Sequence, residues 1–269
     1  MSKRICYWNV SWGNHSYMTR ALVHSMRKNN ILDDFISFSD IKIKGCKNKH
    51  LEPSVKNSLA NYMFKFEYLK FLKHEPYDYF IFIDADSFFV REPEISPISF
   101  MQNNNPWHCF LESPVNSEKT KRPDWWGVKN QDLVNAYRKM GITAEEIRNM
   151  NAGFWICKKE FIDHAVGLGL ACYDFFTKMG FRITEEIPMA YISNYIQTDN
   201  SLYFHEKYFN YWASDWTGQF KDIIPENREW VYTSYMTGEN FTINPAIVHS
   251  MRSKQKLTSL GKILQSARV

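Results

Sequence analysis

The sequence predicts an α/β fold: a mostly parallel sheet with flanking helices, carried in one domain. Three observations point there. Residues 77–93, YDYFIFIDADSFFVREP, set an aromatic and apolar strand directly before two carboxylates, Asp84 and Asp86. Strand-like and helix-like patterns alternate through the first 93 residues as β-α-β-α-β, the order of a nucleotide-binding half-sheet. At 269 residues the chain can bury a sizeable core, and no repeat, low-complexity run or linker divides it. The expected layout is therefore one domain over 1–269, with a nucleotide-binding half at 1–93, a second half at 94–251 and a basic tail at 252–269.

In order along the chain, residues 4–10 read as the first strand, and SWGNHS after it is a loop of turn-forming residues. Residues 17–29 read as a helix, with Met18, Ala21, Leu22, Ser25 and Met26 at helical spacing and Asn29-Asn30 as its stop. A strand is expected at 34–38. Residues 39–53 are polar and basic and read as loop. A helix over 55–73 carries Leu59, Met63, Phe66, Leu69, Phe71 and Leu72 on its apolar side, and the strand at 79–83 follows. Beyond Pro93 the pattern loosens. Short strands are expected at 107–111 and 151–157, with a polar loop over 112–126 and a helix over 131–140 between them. A helix over 159–179 is weakened by Gly167 and Gly169, and a shorter one covers 184–195. Strands at 202–204, 231–233 and 243–249 complete the reading.

Composition excludes several classes. The net charge of +4, from 33 Lys and Arg against 29 Asp and Glu, is too mild for a nucleic-acid footprint. The five cysteines, Cys6, Cys46, Cys109, Cys157 and Cys172, include no CxxC pair, so neither a zinc site nor a disulfide framework is expected, and a reducing compartment fits. No apolar run is long enough for a transmembrane helix, and MSKRICYWNV lacks the apolar core of a signal peptide. A cytoplasmic protein is expected, with a peripheral membrane position or a viral source left open. Basic residues Arg252, Lys254, Lys256, Lys262 and Arg268 collect at the end of the chain.

The chemistry centres on Asp84 and Asp86. A parallel strand of an open α/β sheet presents its C-terminal end to the ligand crevice. Residues i and i+2 of an extended segment point to the same side, so the two carboxylates can share a hard divalent cation, and the cation can hold phosphate oxygens. Other residue patterns carry readings of their own. In the loop Tyr7-Trp8-Asn9-Val10-Ser11 an aromatic face and an amide suit a nucleotide base. Lys65 could offset the charge of a diphosphate. Gly153, lacking a Cβ, permits close approach. Glu185-Glu186 opens a helix, where negative charge helps the helix by itself. Trp125, Trp126, Trp212 and Trp216 offer aromatic faces for sugars.

An apolar strand ending in Asp-x-Asp, preceded by the helix NYMFKFEYLKFLKHEP, resembles the GT-A glycosyltransferases. That resemblance implies a Rossmann-like, mostly parallel sheet with an acceptor-side insertion, and transfer of a sugar from a nucleotide sugar, UDP-linked, to a glycan, lipid-linked or other hydroxyl acceptor. It implies Mn²⁺ or Mg²⁺ on Asp86 and Asp84. It assigns donor contacts to Tyr7, Trp8, Asn9, Lys65, Asp84, Ala85, Asn151 and Gly153, the last two from NAGFW, which is similar to the Asn-x-Gly strand of these families. One of Glu185 and Glu186, with Asp199 as the weaker alternative, would act at the anomeric carbon. Several retaining families place a histidine near the C-terminus as third metal ligand, which here implies His249, followed by basic residues toward the diphosphate, here Arg252 and Lys254. This chain lacks the glycine and the Pro-Trp that follow that histidine in the best-known family, so the subfamily stays open; the His249 resemblance implies retention of configuration over inversion. The acceptor side would be built from 112–126, with Trp125 and Trp126, and from 211–217, with Trp212 and Trp216. A non-catalytic sugar-binding module and a nucleotidyltransferase of the same fold are the alternatives.

Overall fold

The structure is a computed structural model, and the described residues are 3–51, 63–101, 105–115, 123–196, 206–224, 229–235 and 238–249. A six-stranded sheet organises them. Strands β1 (Ile5–Ser11), β2 (Asp34–Ser39), β3 (Lys47–His50) and β4 (Tyr79–Ile83) run parallel in the spatial order β3-β2-β1-β4. Two later strands extend the sheet. They are numbered in chain order after β5 (Ser87–Phe89): β6 (Trp107–Pro114), the short pair β7 (Asp124–Trp125) and β8 (Val128–Lys129), then β9 (Arg148–Lys158). β9 lies antiparallel beside β4, and β6 antiparallel beside β9. The expected mixed α/β architecture with a mostly parallel sheet is therefore present.

β1 and β4 are buried on both faces because both are covered. On one face Tyr7 meets the Phe89 ring of β5, and helix α1 (Asn14–Lys28) holds β5 through the Ser25 hydroxyl, which accepts the Phe89 N–H at 3.0 Å. On the other face Trp8 meets Phe38 and Phe82, and Phe38 meets Tyr68 of helix α2 (Phe64–Leu72). Trp8, Phe82 and Trp155 sit in register on neighbouring strands. Phe82 stacks on Trp155 at 5.2 Å and Trp107 stacks on Trp155 at 4.7 Å, so one aromatic row crosses β1, β4, β9 and β6.

The second half adds helices α3 (Asn130–Lys139), α4 (Ile162–Lys178), α5 (Glu186–Tyr195) and α6 (Glu206–Tyr211), then strands β10 (Trp212–Ser214), β11 (Gly218–Ile224), β12 (Glu229–Ser234), β13 (Asn240–Ile243) and β14 (Ile247–His249). β11-β12-β13 form an antiparallel meander, and β10-β14-β5 form a three-stranded sheet. None of the helices, among the described residues, is long and apolar enough to cross a membrane.

Three expectations need correction. Residues 47–50 are not loop but the edge strand β3; its KNKH sequence shows no apolar alternation because the strand is largely exposed, and Lys47 and Lys49 both pair with Glu75 at 2.6 Å. The strand expected over 243–249 is broken into β13 and β14 at Asn244-Pro245-Ala246, since Pro245 has no N–H to give a ladder. The Arg91 guanidinium holds the bend by donating twice to the Asn244 carbonyl, at 2.5 and 2.8 Å. The loop expected over 112–126 is strand as far as Pro114 and again at Asp124–Trp125. The start of the helix expected over 55–73 and the strand expected at 202–204 lie outside the described residues.

Gly167 and Gly169 are not equivalent. A Cβ on Gly169 would lie 2.5 Å from the Phe66 ring, so α4 and α2 approach through this glycine, whereas a Cβ on Gly167 meets nothing within 4 Å. Gly169→Ala is therefore expected to destabilise by about 1–3 kcal/mol. Gly167→Ala is expected to stabilise by about 0.5–1 kcal/mol. Urea unfolding of the two variants checks the opposite signs.

Candidate functional site

The C-terminal ends of β1 and β4 open onto a cleft, and the expected carboxylates are in it. They are not brought together by extended alternation. The Ser87 N–H donates to the Asp84 carbonyl at 3.1 Å, so Asp84-Ala85-Asp86-Ser87 is a tight turn off the end of β4. β5 starts at that turn and pairs antiparallel with β14, His249 opposite Ser87. This pairing carries the His249 imidazole to the carboxylates. Its Nε2 lies 3.2 Å from Asp86 Oδ1 and 3.8 Å from Asp84 Oδ2. The other nitrogen, Nδ1, is 3.0 Å from the Ser214 hydroxyl, and the ring stacks on Trp212 at 5.5 Å. Burial disfavours the imidazolium, but the Asp86 and Asp84 charges outweigh it and hold the His249 pKa above its ordinary value. Burial also opposes ionisation of Asp86, and His249 outweighs it, holding that carboxyl below its ordinary range.

One ligand atom each from Asp84, Asp86 and His249 lies within 4.8 Å of the other two. The set fits a divalent cation: two hard carboxylates, an imidazole nitrogen buried without a well-aligned hydrogen bond, and the second nitrogen oriented by Ser214. Gly153 leaves the room. A Cβ there would lie 2.8 Å from His249 Cε1, 2.9 Å from Asn151 Oδ1 and 3.2 Å from Asp84 Oδ2.

Lys65 sits beside this centre and is only 3% exposed. Its ammonium is 3.0 Å from Asp84 Oδ1 and 2.8 Å from Glu185 Oε1, and it donates to the Ala152 carbonyl at 3.2 Å. It also lies 4.6 Å from the centroid of Phe82. Burial disfavours the charge, yet Asp84 and Glu185 overcome it and raise the Lys65 pKa. The Ala152 carbonyl is available because β9 breaks register there. Cys109 pairs with Trp155 and Phe110 with Asn151, so residues 152–154 bulge against β6. A second irregularity lies between Leu111 and Ser113, at Glu112. Glu112 accepts from Asn151 Nδ2 at 3.2 Å, and Asn151 Oδ1 accepts the Gly153 N–H at 2.8 Å.

The start of α5 supplies the remaining acids. Glu185 and Glu186 both line the cleft, with Thr184, whose hydroxyl oxygen is buried without a hydrogen-bond partner. Burial raises the Glu185 pKa against the pull of Lys65. Burial, then Glu112 and Glu185, hold the Glu186 carboxyl well above its ordinary range, while the Trp126 indole N–H donates to it.

Of the expected site residues, Lys65, Asp84, Ala85, Asp86, Asn151, Glu185, Glu186, Trp126, Trp216 and His249 line the cleft, and Gly153 backs it. Tyr7, Trp8 and Asn9 do not, which corrects the expectation of a base-contacting loop. β1 runs on to Ser11, and all three side chains are buried inside it. Asn9 donates to Thr19 at 2.8 Å and accepts from Ser37 at 3.1 Å, fastening β1 to α1 and β2. Val10 and Ser11 of the same expected loop do line the cleft at this edge, together with Trp12 and His15, and Phe64 packs on Trp12 at 4.8 Å. Trp125 and Trp212 are likewise core rather than acceptor-facing; Trp212 backs His249. Arg252, Lys254, Lys256, Lys262, Arg268 and Asp199 lie outside the described residues. Glu112, Trp12, His15, Phe64 and Thr184 went unread in the sequence. Reading the first strand one residue further would have brought Trp12 to the edge. Glu112 gave no signal, because ESP after an apolar run looks like a loop entry.

No protein-family model matches the chain, and no curated protein is significantly similar to it.

The Glu186 shift has a sign that can be measured. Glu186 holds its proton to higher pH in the folded chain than in the unfolded one. Ionisation therefore works against the fold, beginning as pH rises above the unfolded value and ending only above the folded one. Glu186→Gln keeps an oxygen for Trp126 and removes the ionisation. It is expected to raise Tm over wild type by about 3 °C at about pH 8 and to lose that advantage at about pH 4. Thermal unfolding at the two pH values decides it.

Proposed function

We propose that this protein is a metal-dependent glycosyltransferase of the GT-A type. It moves a sugar from a nucleotide sugar, a uridine diphosphate donor, to a glycan, lipid-linked or other hydroxyl acceptor. The observation that carries this reading is the Asp84, Asp86 and His249 donor set at the C-terminal end of a parallel strand, in one cleft with the carboxylates Glu185 and Glu186.

Asp84, Asp86 and His249 would hold Mn²⁺ or Mg²⁺. Such an ion supplies Lewis-acid stabilisation of a departing diphosphate. Lys65 does not reach for the diphosphate. Its charge is taken up by Asp84 and Glu185, and it sets their positions. Arg252 and Lys254 are the basic residues assigned to the phosphates. Ser11, Trp12, His15 and Phe64 form the edge assigned to the base. Glu185 or Glu186 stands at the anomeric carbon, where a carboxylate stabilises positive charge developing on the sugar. The His249 ligand favours retention of configuration. Trp126 and Trp216 form the acceptor side.

The test is donor cleavage. Purified protein is incubated with a panel of nucleotide sugars and Mn²⁺ or Mg²⁺, with and without EDTA, and free nucleoside diphosphate is measured. Release from one donor, abolished by EDTA and reduced at least about a hundredfold in Asp86→Ala with its fold intact, is the expected result. Full release in EDTA sinks the metal assignment. No release and no metal-dependent nucleotide binding would falsify the transferase reading and leave a sugar-binding module. Gly153→Ala, which crowds His249 and Asp84, is expected to weaken Mn²⁺ binding by about 10–100-fold, read by calorimetry.

A further inference from the structure

Glu185 and Glu186 are adjacent in sequence but have different partners. Lys65 is the one lysine or arginine in the buried set among the described residues, and it is ion-paired to Glu185 and Asp84. Glu186 faces Glu112 instead and accepts from the Trp126 indole N–H. A buried carboxyl beside a second carboxylate holds its proton to higher pH, which makes it a poorer nucleophile and base than its ion-paired neighbour.

Its partner is unusual. Trp126 and Gly127 are the two residues between β7 and β8, and both have positive φ, 51° and 81°. A two-residue hairpin turn with two positive φ values favours asparagine at its first position. A bulky side chain there is strained, and such strain is retained where the surroundings fix it and a site uses it. Two contacts fix it. Glu186 holds the indole nitrogen, and Trp216 lies against the ring at 6.0 Å, tilted by 47°. The ring is 44% exposed, whereas its neighbour Trp125 is buried.

We propose that Glu186 is a positioning residue that fastens Trp126 across the acceptor side, where Trp126 and Trp216 form a platform for an uncharged pyranose ring, leaving Glu185 as the carboxylate at the anomeric carbon. An aromatic face pairs with the C–H face of a sugar ring. The carboxylates near it, Glu112 and Glu185, repel an anionic sugar. The proposal rests on the glycosyltransferase reading for the word acceptor, and deepens it.

The test uses the whole protein with ¹⁵N-labelled indoles, the Trp126 signal being identified by its loss in Trp126→Phe. Slow exchange of the Trp126 N–H is expected in wild type and in Glu186→Gln, whose amide oxygen still accepts. Exchange roughly tenfold faster is expected in Glu186→Leu. Neutral methyl glycosides of glucose, galactose, mannose and N-acetylglucosamine are expected to shift the Trp126 and Trp216 signals more than the anionic glucuronic acid does. With a working donor, Glu186→Leu and Trp126→Ala raise the acceptor KM roughly tenfold with a smaller change in kcat, and Glu186→Gln rescues much of it. Trp126→Ala gives the same readout where Glu186→Leu fails to fold. The proposal is overturned by wild-type exchange in Glu186→Leu, by the anionic sugar shifting the signals more than every neutral one, by no shift with any neutral glycoside, or by hundredfold loss of donor cleavage in Glu186→Gln. The indole measurements need no turnover. A wild-type protein that neither cleaves a donor nor binds nucleotide with metal defeats the transferase reading without touching them.

Discussion

The buried ammonium of Lys65 is the interaction on which the site depends. It joins four elements at one point: α2, which carries it, the end of β4 through Asp84, the bulged β9 through the Ala152 carbonyl, and the start of α5 through Glu185. A lysine out of water is tolerated only with such partners, and removing one side of a buried pair of this kind costs about 3–5 kcal/mol. Its ring neighbour Phe82 belongs to the aromatic row across the sheet, so the charged centre rests on that row. Charge, bulge and aromatic row thus support one another, and none of the three makes sense alone.

Around that cation the acids divide into groups with different tasks. Asp84 is shared between Lys65 and the histidine side. Asp86 faces His249. Glu185 is tied to Lys65, and Glu186 to Trp126. Five carboxylates, counting Glu112, are crowded against one lysine and one histidine. Such an excess is stable if a proton stays on one acid and a cation sits among others, which is what the Glu186 and the Asp84, Asp86 and His249 arrangements offer.

Much of this was legible in the sequence, for identifiable reasons. β4 and its two aspartates were readable because a fully buried strand leaves an unbroken apolar run, and polar residues at its end mark the sheet edge. His249 was readable as an imidazole after an apolar segment, although its route to the site, through β14 beside β5, was not, because antiparallel pairing across the chain leaves no local trace. Trp8 and Trp212 were misplaced for a common cause. An indole fills the core or faces a ligand equally well by composition, and only the strand register decides between them. Glu112 and the 152–154 bulge were invisible, since a register break is a property of two strands and neither sequence carries it alone. The edge strand β3 escaped because exposed edges favour lysine over apolar alternation.

The pairing of β5 with β14 has a consequence for how the protein is made. The two aspartates belong to the first third of the chain and the histidine to its far part, so the three donors meet only after β14 has been synthesised and has docked. A nascent chain on the ribosome can complete the parallel strands and their helices with sequence already in hand, but cannot yet close the centre. Until then the aspartate turn stands open. The assembly of the site is thereby a late event of high sequence separation, and slower than the sheet beneath it.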